Sequence, residues 1–471
     1  MKTFLTYSLG CRTNQAEIEE ISQELIKKGF TLWSKTPKYP KSPNVILINT
    51  CVVTQKAERE TRQAIRKLKK SYPKAFLAVL GCGVDAHQRL KINLPEADLL
   101  ISNEEKPQAV NIILRAVVYK SDPLVPFNPL VPLDKYSSSG RKLIAIQTSC
   151  NQYCTFCIVP YLRGKLKSKP IHKIIKTLKH ENNKTIKEVI LTGINLSLYG
   201  KDLKPPTTLT KLLRKTLEET TIPRISLSSL TPEIITKEFI SLYLKDWKNG
   251  HGRPACRQGR LSRYWHLAIQ SGSAKILRKM GRKTDLKTLK KLLYLISAKG
   301  GSASGGKVRI PEFVFRADFL VGFPGETEKD FKLTLQLIKV LKISFSHVFP
   351  FSKRPGTTAY KMIEEGIWQD LPPEVKKERV RQVIAKTRRV RKQEARKLIG
   401  KVLPCLFLDQ KKGYWQTLAD NSWPVRVPIN GTMEQWNNES IYQKLKGQIL
   451  PVKITKTTTD YLLGEILSLL K

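Results

Sequence analysis

The chain has 471 residues, 41% of them hydrophobic, and carries 84 Lys+Arg against 39 Asp+Glu, a formal net charge of +45. That length and apolar content exclude a disordered tail and predict about two to four domains with buried cores. No apolar run approaches the roughly 20 residues that cross a bilayer, and the basic residues are spread along the chain, so the charge points to a nucleic-acid partner before a membrane surface. The N-terminal stretch MKTFLTYSLGC has no long apolar segment or small-residue cleavage site, and a cytoplasmic protein is expected.

Residues 1–120 alternate strand and helix. Short runs rich in Val, Ile and Leu stand at 4–9, 45–50, 76–81 and 98–102, with amphipathic segments at Gln15–Lys28 and Lys56–Lys70 between the first three. This is the pattern of a doubly wound parallel α/β sheet. Residues 121–141 are rich in Pro, Ser and Lys and read as a linker. Over 142–372 the βα pattern resumes, with strands at Leu143–Thr148, Glu188–Thr192, Arg224–Ser229, His266–Gln270, Ala317–Gly322 and His347–Phe351. Helices are expected at Pro170–Lys179, Leu209–Leu217, Thr231–Leu244 and Thr327–Leu341. Six such units predict a partial (β/α)6 barrel. Two Gly-rich, basic stretches, Asp246–Arg263 and Gly300–Val308, read as surface loops. Residues 373–398 form a basic helix, and 399–471 contain five short strand-like runs that fit a small antiparallel β-barrel of an RNA-binding kind.

Eight cysteines in a reducing compartment do not read as a disulfide framework. Three are compact: Cys150, Cys154 and Cys157, in a loop just past the first barrel strand. Three are scattered: Cys11, Cys51 and Cys82, each one or two residues after a strand of the N-terminal sheet. Open α/β sheets bind ligands at the carboxyl ends of their strands, so the scattered three are expected to converge. Zinc normally takes four protein ligands, and no second pair follows the compact group; three thiolates suit an iron–sulfur cubane with one vacant iron. Cys256 and Cys405 stand alone and read as small buried hydrophobes or free thiols.

The CxxxCxxC loop with Phe156 before its last cysteine resembles the signature of radical S-adenosylmethionine (SAM) enzymes. The continuation IVPYLRGK resembles one branch of them, the methylthiotransferases. So do LGCRTNQAE (9–17), INTCVVTQKAER (48–59), LTGINLSLYG (191–200), LAIQSGSAKILRKMGR (267–282), VGFPGETEKDF (321–331) and HVFPFSKRPGTTA (347–359). The resemblance spans nearly the whole chain and likens the C-terminal barrel to a TRAM domain.

The resemblance implies two 4Fe-4S clusters, one on Cys150, Cys154 and Cys157 and one on Cys11, Cys51 and Cys82. SAM binds the vacant iron of the first, and reductive cleavage gives a 5′-deoxyadenosyl radical; the second cluster carries the sulfur to be inserted. Phe156, Gly193, Asn195, Ser228 and Gln270 are the candidates for cradling SAM. Asn14 and Asn49 are candidates either for orienting the scattered cysteines or for a turn or cap. The implied substrate is tRNA, at carbon 2 of N6-threonylcarbamoyladenosine beside the anticodon, with isopentenyladenosine or a ribosomal protein as alternatives. Arg163 and Lys165 are candidates for contacting the RNA. An electron donor of flavodoxin or ferredoxin type is also implied; DNA and membrane are not.

Two departures from the family pattern stand out: Thr231 where an acidic residue is usual before Pro232, and Lys167-Ser168-Lys169-Pro170 where an Arg precedes the proline. A reading of another class, an RNA-binding protein with structural zinc and no catalysis, competes with the enzyme.

Overall fold

A computed structural model describes residues 2–34, 40–120, 140–182, 186–250, 259–296, 310–429 and 445–467. The linker over 121–139, the stretch Gly300–Val308 and Cys256 lie outside the described residues.

The N-terminal unit runs β1 (Thr3–Ser8), α1 (Arg12–Lys27), β2 (Thr31–Leu32), β3 (Val45–Thr50), α2 (Gln55–Ser71), β4 (Phe76–Gly81), α3 (Cys82–Leu90), β5 (Leu99–Ile101) and α4 (Ala109–Lys120). Its sheet is parallel in the order β2-β1-β3-β4-β5. Every residue of β3 is buried, as a strand covered by helices on both faces must be. On α1, Ile18, Ile21 and Leu25 fall on one buried stripe, which packs against Phe4, Val45 and Leu47.

The central unit follows: β6 (Arg141–Gln147), α5 (Val159–Arg163), α6 (Ile171–Asn182), β7 (Glu188–Gly193), α7 (Leu209–Glu219), β8 (Arg224–Leu227), α8 (Lys237–Asn249), β9 (Tyr264–Gln270), α9 (Ala274–Lys279), α10 (Leu286–Ile296), β10 (Val314–Val321), α11 (Glu328–Val340), β11 (Phe345–Pro350) and α12 (Thr358–Glu364). The parallel sheets β6-β7-β8 and β9-β10-β11 are joined by bridges from Ile225 to Leu261 and from Leu230 to Leu267, giving six strands of a partial barrel. Helix α1 covers its first strands, with Thr13 Oγ1 3.4 Å from Thr192 Oγ1. Lys169 pairs with Glu20 at 2.6 Å, and on the far side Arg354 pairs with Glu58 at 2.7 Å.

Two expectations need correction. The helix expected over Thr231–Leu244 is broken: Pro232 opens a separate 3-10 turn, Pro232–Ile234, and α8 starts anew where the Thr236 hydroxyl accepts from Phe239 N. The stretch Asp246–Arg263 is not a surface loop throughout. Asp246–Asn249 complete α8, and Arg260 to Arg263 are buried. The Arg260 guanidinium donates to Ile222 O, Leu217 O and Thr220 Oγ1 at 2.7–2.8 Å, while Asp246 accepts from Leu261 N at 2.8 Å. Basic composition suggested solvent, but an arginine whose donors are all satisfied can be buried.

Helix α13 (Pro373–Arg396) leads to β12 (Val402–Lys411), β13 (Tyr414–Ala419), β14 (Pro424–Pro428), β15 (Ile449–Thr457) and β16 (Leu462–Ile466). These close a barrel in the order β12-β13-β14-β16-β15 around Trp415, Trp423, Cys405 and Val452. The pairing of β14 with β16 is parallel, not antiparallel. Five strands cannot alternate direction all the way round, so one pair must run together. The barrel docks on the central unit through buried Arg263, which holds Asp420 at 2.6 and 2.9 Å, and through Arg224, which donates to Pro404 O and Leu418 O. Among the described residues no helix is long and apolar enough to cross a membrane.

Candidate active site

Cys11, Cys51 and Cys82 stand at the carboxyl ends of β1, β3 and β4, and converge as the topology requires. Gly10 has φ +84, and a Cβ there would lie 2.6 Å from Cys51 Cβ and Sγ, so the chain can turn into α1 beside Cys51 only without a side chain. Asn14 ties two of these strand ends together: its Nδ2 donates to Leu9 O and Thr50 O, both at 2.9 Å. Asn49 in turn donates to Asn14 O at 2.9 Å. Asn103, which the sequence did not single out, points Nδ2 at Cys82 Sγ from 3.6 Å.

Cys150, Cys154 and Cys157 lie on the loop after β6. Thr155 N donates to Met280 O and Thr155 Oγ1 to Lys279 O, both at 3.0 Å, which pins this loop to the end of α9. Asn195 Nδ2 lies 3.5 Å from Cys150 Sγ, and Arg282 Nη1 lies 3.8 Å from Cys154 Sγ.

The segments that carry the two groups pack together. Ile158 and Leu162, just past the compact trio, pack in one apolar cluster with Val52, Cys82 and Ala86. Arg163 completes the link: its guanidinium bonds Glu17 Oε1 at 2.6 Å, Asn14 Oδ1 at 2.5 Å and Thr148 O at 3.1 Å. The RNA contact expected of Arg163 is therefore corrected, because its side chain is 3% exposed and both its terminal nitrogens are hydrogen-bonded within the protein. Lys165 does stand exposed, two residues on.

The donor sets fit a strongly cationic group. Burial, then the neighbouring Cys82, push the Cys51 thiol up to about 12, and burial with Cys154 does the same at Cys157. Thiols so placed give up their protons only to a strong positive charge, such as a metal cluster. Among the described residues, the group whose ligand atoms gather within 4.8 Å is His266, Asp318 and His347.

The expected SAM cradle is gathered only in part. Asn195 adjoins Cys150, and the Ser228 hydroxyl accepts from Gly193 N at 3.4 Å. Gln270 ends β9 with φ +73, a left-handed conformation costly for a side chain of its kind. Phe156 packs edge-on against Phe323, with ring centroids 6.5 Å apart. Gly193 is not open to a ligand on its Cβ side: a side chain there would meet Leu196 at 2.9 Å and Gln147 at 3.0 Å. Gln147 was missed by sequence reasoning. It is buried, its Oε1 accepts from Asn195 N at 2.9 Å, and its Nε2 donates to Ser149 O. Its inward register one step before the cysteine loop was the available signal.

Comparison with known proteins agrees with this arrangement. Residues 3–102 match an uncharacterized protein family, UPF0004, and residues 144–338 match the radical SAM superfamily. The threonylcarbamoyladenosine tRNA methylthiotransferase MtaB of Aquifex aeolicus is 30% identical over 416 residues, 86% of this chain and 92% of that one. The tRNA-2-methylthio-N(6)-dimethylallyladenosine synthase of Petrotoga mobilis is 30% identical over 478 residues, 99% of each. Among solved structures, the radical SAM methyltransferase TsrM of Kitasatospora setae, with cobalamin and a [4Fe-4S] cluster bound, shares the fold at TM-score 0.50 and 12% identity, over 77% of this chain and 78% of that one. Membership implies SAM and a 4Fe-4S cluster. The chain is an enzyme and belongs to the radical SAM methylthiotransferase family, among its MtaB-type members.

Proposed function

We propose that this enzyme methylthiolates carbon 2 of N6-threonylcarbamoyladenosine at tRNA position 37, next to the anticodon. The observation that carries the reading is the buried junction of Arg163 with Glu17 and Asn14, which ties the short helix after the compact trio to the helix that follows Cys11. Cys150, Cys154 and Cys157 would hold the cluster that binds SAM, and Cys11, Cys51 and Cys82 a second 4Fe-4S cluster. Bound there, these groups supply a carbon-centred radical and a transferable sulfur.

The protein's own residues position and seal. Asn195, fixed by Gln147, orients Cys150; Arg282 sets positive charge beside Cys154; Asn103 and Asn14 orient the other trio. Ser228, Gln270 and Phe156 border the SAM position, and Gly193 keeps room for Gln147. Helix α13 and the C-terminal barrel present basic side chains to the tRNA body, and exposed Lys165 lies beside the anticodon loop. The enzyme works in the cytoplasm with a flavodoxin- or ferredoxin-type donor and does not use DNA. A second reading, with N6-dimethylallyladenosine as substrate, is favoured by relatives of that name at similar identity. A ribosomal protein, itself basic, would be repelled by a net charge of +45.

The test is anaerobic reconstitution with iron and sulfide, followed by assay with SAM, reductant and tRNA carrying either modification. About eight irons per chain, as two cubanes require, and methylthiolated threonylcarbamoyladenosine are expected. About four irons, or product on the dimethylallyl tRNA alone, would refute it.

A further inference from the structure

Three side chains meet at one level of the barrel lumen and take no part in the chemistry above. Strand β10 runs between β9 and β11. Side chains alternate along it: Ala317, Phe319 and Val321 are packed into the outer core, so Asp318 faces inward. Asp318 is paired in register with His347 of β11, and His266 of β9 stands across from Arg316, one inward step away. Asp318 Oδ1 lies 2.6 Å from His266 Nε2 and 3.3 Å from His347 Nδ1, and the three donor atoms lie within 4.8 Å of one another. Ser229, just past β8, donates its hydroxyl to Asp318 Oδ2 at 3.0 Å, which orients the carboxylate and leaves Oδ1 turned to the two rings.

These groups are held in the form that ligates. Burial keeps His266 below its ordinary value against the pull of Asp318, so at neutral pH the ring is an uncharged imidazole. Burial opposes ionisation of Asp318, but the hydrogen bonds with both imidazoles outweigh it and hold the carboxyl well below the usual range. Arg316, on the same face, is engaged elsewhere: it donates to Ser422 Oγ at 2.5 Å and lies 4.8 Å over the Phe345 ring. Two imidazoles and a carboxylate on three neighbouring strands are a donor set of transition-metal type. Tetrahedral bonds of about 2.0–2.2 Å set ligand atoms about 3.3–3.6 Å apart. Asp318 Oδ1 and His347 Nδ1 already stand so, and His266 Nε2 reaches that separation once an ion takes the place of the proton it shares with Oδ1.

We propose that His266, Asp318 and His347 bind one divalent transition-metal ion of the zinc class inside the barrel, with no ligand from either cysteine trio. The ion cross-links β9, β10 and β11. Three protein ligands leave a tetrahedral ion one position for water, and it opens on the side of His347, whose ring is 54% exposed. The inference goes beyond the reading of function and holds whichever adenosine is modified.

Reconstituted holoenzyme, desalted and kept anaerobic at neutral pH, is titrated with Zn2+ by calorimetry, with iron, sulfide and zinc counted in the same sample. Zn2+ displaces any Fe2+ from nitrogen and oxygen ligands. A single Zn2+ per chain is expected, with iron and sulfide unchanged. Its X-ray absorption shows nitrogen and oxygen at about 2.0–2.2 Å and no sulfur at about 2.3 Å. H347A and D318N weaken zinc binding at least about a hundredfold, and S229A, which removes only the bond that orients the carboxylate, about tenfold. H347A keeps the test decisive where D318N fails to fold, since it leaves the His266–Asp318 bond in place. Zinc held by sulfur, zinc bound equally by wild type and H347A (an adventitious ion only), or no zinc bound overturns the inference. Methylthiolated product from the same preparation is read separately, so either reading can fail while the other stands.

Discussion

Arg163 Nη1 lies 2.6 Å from Glu17 Oε1, a buried ion pair formed across 146 residues of sequence. Glu17 sits on the helix that begins after Cys11; Arg163 closes the short helix that follows Cys157. Lys106 approaches the same carboxylate at 2.5 Å. One glutamate thus fixes the N-terminal unit on the barrel.

Replacing Glu17 by Gln leaves Arg163 buried without its counter-charge, a change that costs about 3–5 kcal/mol in comparable sites. The midpoint of urea unfolding should fall accordingly, and methylthio transfer should fall further than SAM cleavage. Acid probes the same pair. Burial opposes ionisation of Glu17, but Arg163 and Lys106 outweigh it and hold the carboxyl well below the usual range. A depressed folded-state value stabilises fully above the unfolded glutamate pKa of about 4.3 and is lost as pH falls toward the folded value. Urea midpoints of the apoprotein should therefore drop below about pH 4, and drop less in E17Q.

The two trios are separable in function. Alanine at Cys11, Cys51 or Cys82 should halve the iron content and abolish methylthiolation while 5′-deoxyadenosine is still released. Alanine at Cys150, Cys154 or Cys157 should abolish both. Iron analysis with product chromatography distinguishes the two patterns, and normal methylthio yield from C51A would defeat the assignment.

Gln147 is buried and holds both Asn195 N and Ser149 O. Q147L leaves these groups unpaired at about 1–3 kcal/mol. Because they position Asn195 beside Cys150, the expected effect is a KM for SAM raised about tenfold or more, with tRNA affinity unchanged. Titration of SAM against 5′-deoxyadenosine release measures it.

Helix α13 exposes Arg388, Arg389 and Lys392. Converting all three to Ala should weaken tRNA binding and flatten the log–log dependence of affinity on salt by about 2–3 units, given roughly 0.7–0.9 per phosphate contact. Thermal stability should hold, since these side chains contact solvent. An unchanged salt slope by filter binding would remove this helix from the RNA path.

Much of this architecture is legible in the residues. Hydrophobic runs such as Val45–Thr50 and Phe76–Gly81 coincide with observed strands, because a parallel strand covered on both faces is largely apolar. The six cysteines stand out for the same positional reason. Arg163, Arg260 and Arg263 do not, since a basic residue near glycine reads as solvated surface. Their burial depends on partners such as Glu17 and Asp420, which only the tertiary fold brings close.

Exposure within the scattered trio is uneven: Cys51 and Cys82 are buried, whereas Cys11 is open. Molecular oxygen or an alkylating reagent arriving from outside meets that sulfur before the others. Inactivation in air should accordingly begin as selective chemistry at position 11, with the remaining pair still protected behind it.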